Sequence, residues 1–220
     1  CFNSDERRNT IMQRKEMESL LIEYGKLMGR KNFTPGTSGN MSFRVDDNHM
    51  LITASGSANA YLEDDEIVLT DFSGNPVEGE KKKPSSEKLL HIEIYKKRPD
   101  LNVILHVHSP YLSSFAAAGI PLDKPIMAEN TFYFGKILMA DYALPSTVEL
   151  AENTAKFFDE YNAVLMESHG FVVASDNIKD AYLKLELAES YAQIVLNTYL
   201  LGGARELTKE QENAILALRG

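Results

Sequence analysis

The apolar residues of this 220-residue chain switch repeatedly between two periodicities, and this alternation restricts the possible folds more than any other feature. Short β-branched runs of strand length, such as 103–108, are separated by longer stretches whose apolar residues recur every three or four positions. The first of these stretches carries one helical stripe, formed by Leu20, Leu21, Tyr24, Leu27 and Met28. A second long stripe predicts a helix over 177–201. The alternation therefore predicts a fold of the α/β class.

The rest of the chain follows the same plan, with turn residues between the elements. We predict further strands at 41–45, 50–53, 67–70, 163–166 and 171–174, and further helices at 84–97 and 110–118. A chain of this length can bury one sizeable core, and no internal repeat or low-complexity tract divides it. We therefore expect a single domain over 1–220, in which 1–11 form a flexible N-terminal extension.

Composition argues against several classes of partner. The net charge of −9 is unfavourable for a nucleic acid surface, which requires clustered Lys and Arg. No apolar run reaches the length of a membrane-spanning helix. A small phosphorylated ligand stays compatible with this charge, because a phosphate needs only a few local donors. We expect neither a nucleic acid partner nor a membrane partner.

The number of cysteines indicates the cellular compartment in which the protein is expected. Cys1 is the sole cysteine, so the chain can form neither an intrachain disulfide nor a cysteine-based metal site. The first residues also lack the apolar stretch of a secretory signal. We expect a cytoplasmic protein.

Two histidines lie two residues apart on the predicted strand 103–108. Because successive side chains of a strand alternate between its faces, His106 and His108 project to the same side. Neutral imidazole is a good ligand for zinc, although such a pair taken alone more often indicates two exposed histidines at a strand end. The pair is therefore a candidate metal site.

His169 is a candidate third ligand. It lies between an apolar strand and Gly170, where a turn can carry the ring toward a neighbouring strand. Three neutral histidines would leave zinc with the open coordination position that catalysis needs. The alternative is a turn residue whose side chain bonds its own backbone.

Glu87 and two further histidines have several interpretations. Glu87, at a predicted helix start, is either a carboxylate that interacts with the helix dipole or an acid near a metal. His91 lies one turn later on the same face, so a Glu-x-x-x-His ligand pair is an alternative to a core or supporting histidine, which we rank first. His49, in a turn beside Asp46, is expected to be solvated.

Three turns rich in small residues supply the materials of a phosphate site. They are 37–40, 54–57 and the pair Ser85 and Ser86. Small side chains, hydroxyls and free backbone N–H groups together can form a nest for a phosphate. Taken singly, each turn is more typical of a plain loop.

Five motifs occur in order along the chain: TSGNMS at 37–42, ITASG at 52–56, KPSSE at 83–87, LHVHS at 105–109 and SHG at 168–170. Together they resemble the class II aldolase/adducin family over roughly residues 17–201. Five ordered motifs are far more specific than any one of them. The resemblance implies a three-layer α/β/α domain with a mainly antiparallel central sheet, assembled as a homotetramer with active sites between subunits.

The resemblance also implies roles for individual residues. His106, His108 and His169 would bind Zn²⁺ or another divalent metal. Glu87 would ligate the resting metal and, once displaced by substrate, would transfer a proton. The residues that match the phosphate contacts of the family are Asn40, Ser55, Gly56, Ser85 and Ser86.

The implied activity is that of a zinc-dependent aldolase. It would cleave a ketose 1-phosphate similar to L-fuculose 1-phosphate into dihydroxyacetone phosphate and a short aldehyde, through a metal-stabilised enediolate. Glu129 and Tyr133 would face a neighbouring active site as candidate proton donors, with interface packing as the alternative.

Other activities of the family stay open. Dehydration of methylthioribulose 1-phosphate and 4-epimerisation of L-ribulose 5-phosphate would use the same site. The epimerase is disfavoured because the family's epimerases carry Asp at the position of Glu87. An alternative of another class is a non-catalytic, adducin-like interaction domain, against which the three histidines argue.

Overall fold

The computed structural model describes residues 4–219. Its strands are β1 (Asn40–Arg44), β2 (His49–Thr53), β3 (Ile67–Asp71), β4 (Val103–Val107), β5 (Leu138–Ala140), β6 (Ala163–Met166) and β7 (Gly170–Ser175). Its α-helices are α1 (Ser4–Arg30), α2 (Lys88–Lys97), α3 (Pro110–Ala118), α4 (Ala128–Phe134), α5 (Val148–Ala155), α6 (Ile178–Leu200) and α7 (Lys209–Leu216). Of the expected flexible extension 1–11, residues 1–3 lie outside the described residues and 4–11 belong to α1. Its flexibility stays a prediction.

The strands form one sheet in the order β3-β2-β1-β4-β7-β6-β5. All neighbouring pairs are antiparallel except β5 and β6, which are parallel. β4 therefore lies at the centre, between β1 and β7. The register places His106 opposite Asn40 of β1 and opposite Val172 of β7.

Apolar clusters cover both faces of the sheet. Val103, Leu105 and Val107 of β4 belong to a cluster that also contains buried residues of α1, α3 and α6. Ile104 belongs to the opposite cluster, with residues of α2 and α5. Because side chains alternate along β4, His106 projects to the same face as Ile104. The structure confirms the predicted three-layer α/β/α fold with a mainly antiparallel central sheet.

None of the helices described here combines the length and the apolar character that crossing a bilayer requires.

Four elements were not predicted from the sequence pattern: α4, α5, α7 and β5. β5 has three residues, too few to show an alternating pattern, and it is held by parallel pairing with β6. α5 begins after Thr147, whose hydroxyl accepts a hydrogen bond from Leu150 N at 3.2 Å. A Thr at this N-cap position was the sequence signal for α5.

A buried carboxylate from α6 holds the junction between β4 and α3. Glu189 is 7% exposed and accepts hydrogen bonds from Ser109 Oγ at 2.6 Å, Tyr111 N at 2.9 Å and Leu112 N at 2.9 Å. The two backbone N–H groups belong to the first turn of α3, which has no intrahelical acceptors for them. Glu189 therefore fixes the start of this helix immediately after His108.

We expect Glu189→Ala to lower the free energy of unfolding by about 3 kcal/mol, because two buried donors and one partly buried donor lose their acceptor. Urea unfolding measures the change. Ser190→Ala, at the exposed next position of α6, is the matched control and should stay within about 0.5 kcal/mol of the unmodified protein. Equal stabilities for the two variants would contradict the role of Glu189.

Candidate metal centre

Four side chains from three separate parts of the chain converge beside β4. His106 lies in β4 and His108 follows it, His169 lies in the turn between β6 and β7, and Glu87 immediately precedes α2. One ligand atom from each residue lies within 4.8 Å of those of the other three. The structure thus brings together all four residues that the family resemblance implied as metal ligands.

The carboxylate of Glu87 bridges two of the rings. Its Oε2 lies 3.1 Å from His106 Nε2, and its Oε1 lies 3.0 Å from His169 Nε2. His108 Nε2 lies 3.0 Å from His106 Nε2. Every one of these contacts joins atoms that can donate a lone pair to a cation.

The tautomer of His106 shows why this donor set suits a cation. Its Nδ1 lies 3.0 Å from the carbonyl oxygen of Phe171, so Nδ1 carries the hydrogen and donates it. In the neutral ring, Nε2 is then an unprotonated acceptor that faces the Glu87 carboxylate and His108 Nε2. Acceptors placed this close repel one another unless a proton or a cation lies between them. Three imidazoles and a carboxylate are the ligands that Zn²⁺ prefers among nitrogen and oxygen donors.

The turn that carries His169 depends on its neighbours. Ser168 has a φ of +54°, in the left-handed region, and this directs the chain back toward β7. A Cβ on Gly170 would lie 2.5 Å from the carbonyl oxygen of Val107 and 3.0 Å from His108 Cδ2. Only glycine leaves room for β7 and the histidines to approach this closely.

Burial and nearby charges determine the protonation of the cluster. Burial, followed by the charges of His106 and His169, lowers the pKa of His108 to about 3, so this ring is neutral at physiological pH. Burial alone would raise the pKa of Glu87, but the charges and hydrogen bonds of His106 and His169 outweigh it and hold that pKa below its ordinary value. Burial opposes protonation of His106, whereas the Glu87 carboxylate raises its pKa above the ordinary value. In the metal-free protein, the ionised Glu87 carboxylate thus favours a proton on His106.

These shifts predict how zinc stabilisation depends on pH. The lowered pKa of Glu87 stabilises the metal-free fold at pH values above about 4.3, the ordinary pKa of Glu. The raised pKa of His106 stabilises the metal-free fold fully below about pH 6.5, the ordinary pKa of His. This second contribution is lost as the pH rises through the pKa that His106 has in the folded protein. Zinc must displace the proton on His106, so its binding strengthens as pH rises. We expect added zinc to raise Tm more at about pH 8 than at about pH 6. Calorimetry measures both shifts, and a reversed order would contradict the assignment.

A cavity of about 300 Å³ opens beside the four side chains and is lined by Glu87, His108 and His169. The same cavity is lined by all five residues that matched phosphate contacts: Asn40, Ser55, Gly56, Ser85 and Ser86. Their turns supply hydroxyls, one amide and backbone N–H groups within reach of a single small ligand. Pro145 and Ser146 also line it and were not predicted, because an isolated Pro-Ser pair indicates only a turn.

Glu129 and Tyr133 lie elsewhere. Both belong to α4, which packs against α6 and α7, and neither lines the cavity beside the histidines. Glu129 is exposed, and 47% of Tyr133 is exposed. Within one chain the structure therefore does not bring these two residues to the metal ligands.

The two remaining histidines lie outside the ligand set. His91 is fully buried and bonds Asn40 and Ser42, so the Glu-x-x-x-His ligand pair is not formed. His49 is partly exposed, and its Nδ1 lies 2.9 Å from Asp46 Oδ1.

Comparison with known proteins places this geometry in a family. A family model described as Class II Aldolase and Adducin N-terminal domain matches residues 19–196. An L-fuculose phosphate aldolase from Methanocaldococcus jannaschii is 35% identical over 80% of this chain and 93% of its own length. A 5-deoxy-D-ribulose 1-phosphate aldolase from Bacillus thuringiensis is 32% identical over 96% of this chain and 98% of its own. A solved structure of an L-fuculose 1-phosphate aldolase has a TM-score of 0.85 and 31% identity, and the match covers 92% of this chain and 95% of that one.

Another relative is named for a different reaction. A 3-oxo-tetronate 4-phosphate decarboxylase from Haemophilus influenzae is 30% identical over 80% of this chain and 85% of its own length. Aldol cleavage and decarboxylation both break a carbon–carbon bond. These likenesses support a metal-dependent lyase of the aldolase type, and the chain belongs to the class II aldolase and adducin N-terminal domain family.

Proposed function

We propose that this protein is a zinc-dependent aldolase that cleaves a ketose 1-phosphate, such as L-fuculose 1-phosphate or a similar deoxy sugar, into dihydroxyacetone phosphate and a short aldehyde. One observation supports this above the others. The Glu87, His106, His108 and His169 cluster adjoins a cavity whose other walls carry hydroxyl and amide donors suited to a phosphate.

The phosphate of the substrate would bind at the end of the cavity away from the cluster. Gly56 has a φ of +81°, so its backbone turns sharply beside Ser55. Ser85 and Ser86 come just before Glu87, so the phosphate-binding turn and the acid belong to one segment. A ligand anchored by its phosphate would thereby hold its carbonyl carbon at a set distance from the Glu87 carboxylate.

A divalent cation held by the three histidines would supply Lewis-acid stabilisation for the negative charge that develops on the substrate carbonyl. Once displaced by substrate, the poorly solvated Glu87 carboxylate would have a raised proton affinity and would take up the proton that this chemistry requires. In the cleavage direction, the bond between C3 and C4 breaks, the C4 hydroxyl gives its proton to a base at the subunit interface and becomes the aldehyde, and C3 gains the proton held by Glu87. The side chain of Glu87 is only 11% exposed, so bulk water has little access to this exchange.

A second subunit would complete the site. Glu129 and Tyr133 project from α4 into solvent in one chain. In a neighbour's cavity, either could donate a proton to the aldehyde oxygen in the synthesis direction, and in cleavage the same group would take the C4 hydroxyl proton back. We propose a cytoplasmic homotetramer with active sites at its subunit interfaces.

Subunit mixing tests this shared site. We expect Glu87→Gln and Tyr133→Phe variants, each of low activity alone, to regain activity when they are unfolded, mixed and reassembled, because some mixed interfaces then carry both natural residues. Sedimentation analysis measures the oligomer. Mixtures no more active than the average of the two variants would contradict a site shared between subunits.

A substrate panel tests the reaction itself. We expect L-fuculose 1-phosphate and 5-deoxy-D-ribulose 1-phosphate to release dihydroxyacetone phosphate, and a chelator to abolish the release until zinc is restored. Methylthioribulose 1-phosphate, L-ribulose 5-phosphate and 3-oxo-tetronate 4-phosphate are included to detect dehydration, epimerisation and carbon dioxide release. If one of these three substrates gives its product and no substrate undergoes aldol cleavage, that other reaction is the activity of the protein and the proposed aldolase reaction is wrong.

The interaction-domain alternative has a separate test. A non-catalytic adducin-like domain needs no metal, so elemental analysis of the purified protein distinguishes it from the enzyme. We expect about one zinc per chain, since the cluster supplies one set of ligands. Absence of bound metal after incubation with zinc would favour the interaction domain.

A further inference from the structure

A chain of buried hydrogen bonds runs from the candidate metal centre into the core. Asn40 Nδ2 donates to Glu87 Oε2 at 2.8 Å, and Asn40 Oδ1 lies 2.5 Å from His91 Nε2. His91 Nδ1 lies 2.7 Å from Ser42 Oγ, which lies 2.8 Å from the hydroxyl of Tyr95. The four side chains behind Glu87 come from β1 and α2, and all are buried.

The Glu87 carboxylate fixes the direction of the links from Asn40 through His91 to Ser42. An ionised carboxylate only accepts, so Asn40 must present its NH₂ group to Glu87. Asn40 Oδ1 then faces His91 Nε2, which must carry the ring hydrogen and donate it. His91 Nδ1 is therefore an acceptor, and it receives the hydroxyl proton of Ser42. The hydroxyl of Tyr95 has two acceptors within reach, Ser42 Oγ at 2.8 Å and the carbonyl oxygen of Asn102 at 3.1 Å.

Among the residues that the structure describes, the ring nitrogens of His91 bond only Asn40 and Ser42. The side chain is completely buried, and burial lowers its pKa to about 3, so the ring is neutral and has a single N–H. One hydrogen on two nitrogens allows two tautomers. The opposite tautomer would place an unprotonated Nε2 against Asn40 Oδ1, and the amide would have to flip and direct its oxygen at the Glu87 carboxylate.

We propose that His91 is a positioning residue, whose Nε2–H tautomer locks the Asn40 amide with its NH₂ toward Glu87 and thereby fixes the carboxylate for metal and substrate. In this role His91 itself contacts neither the metal nor the substrate. The inference rests on the proposed metal centre, and it goes beyond that proposal because it assigns a task to a core histidine and to the hydroxyls of Ser42 and Tyr95. A purely structural His91 would contribute packing and stability alone.

The tautomer is measurable in the metal-free, unmodified protein. Nitrogen-15 spectra of histidine-labelled protein, with His91→Gln identifying the signal, report which ring nitrogen carries hydrogen. We expect Nε2 protonated and Nδ1 unprotonated. The Nδ1–H tautomer would overturn the inference whether or not the variants below fold.

Two substitutions at His91 separate positioning from packing. His91→Leu fills the space but offers Asn40 no donor, whereas His91→Gln restores an amide N–H near the position of Nε2. We expect the Kd for zinc, measured by competition with a chelator, to rise about tenfold in His91→Leu and to stay within about threefold in His91→Gln. Both variants should lose stability in urea, so a change in zinc affinity that glutamine reverses is specific to positioning.

The outcomes separate this inference from the proposed function. Normal zinc affinity in His91→Leu, with reduced stability, would overturn the positioning role and leave the metal centre intact. Equal weakening in both variants would also overturn it, because the restored donor would then have no effect. Failure of the unmodified protein to bind zinc would overturn the metal centre itself, and the role of His91 with it.

Discussion

Replacing Glu87 by glutamine will lower turnover by about 10²- to 10⁴-fold while the protein stays folded, because glutamine keeps the shape of the side chain but cannot exchange a proton at neutral pH. The three histidines remain as ligands, so we expect zinc to stay bound at a weaker affinity. The Asn40 NH₂ group can still donate to the amide oxygen of the new side chain, which limits the loss of stability.

Steady-state kinetics on the best substrate of the panel, with zinc content measured in the same samples, test this expectation. Glu160→Gln makes the same chemical change at an exposed position in the loop before β6 and should leave both quantities unchanged. Undiminished turnover in Glu87→Gln would remove this residue from the reaction, whatever the metal content.

Replacing His106 by alanine will remove both the metal and the activity. The ring supplies Nε2 to the cluster, and its Nδ1–H bond to Phe171 O fixes the direction of that nitrogen. Loss of the Lewis acid removes several kcal/mol of stabilisation from the transition state, so we expect turnover to fall by at least about 10³-fold. Zinc content should fall well below stoichiometric at micromolar free zinc.

His49→Ala is the matched control, because His49 is partly exposed, its ring bonds Asp46, and it does not belong to the ligand cluster. Elemental analysis and kinetics should give the same values for this variant as for the unmodified protein. Full zinc content in His106→Ala would show that the ion binds elsewhere and would contradict the proposed centre.

Most of the fold was accessible from the sequence because its long elements carry strong patterns. Alternation along 103–108 placed His106 and His108 on one face, and the helical stripe over 177–201 predicted α6 to within one residue at each end. β5 was missed, because a three-residue parallel strand is held by its neighbour and not by its own sequence. The opening helix α1 includes Gly29, a weak helix former, because tertiary packing outweighs its low helix propensity.

The site was predictable in its residue types and not in its geometry. The five motifs identified the candidate ligands and the candidate phosphate-site residues, and in the structure these residues lie in or beside one cavity. Their catalytic and binding roles stay predictions. The link from His91 through Asn40 to Glu87 could not be read from the sequence, because it depends on which strand pairs with β4 and in which register.

Because β4 pairs with both β1 and β7, the metal ligands come together only when these strands have assembled into the sheet. Glu87, His106 and His108 come from the start of α2 and the end of β4, whereas His169 joins them only after the β6–β7 hairpin has docked on β4. A partly folded chain without that hairpin lacks one of the three histidines and would hold an ion more weakly. We therefore expect full metal affinity only after the sheet has assembled.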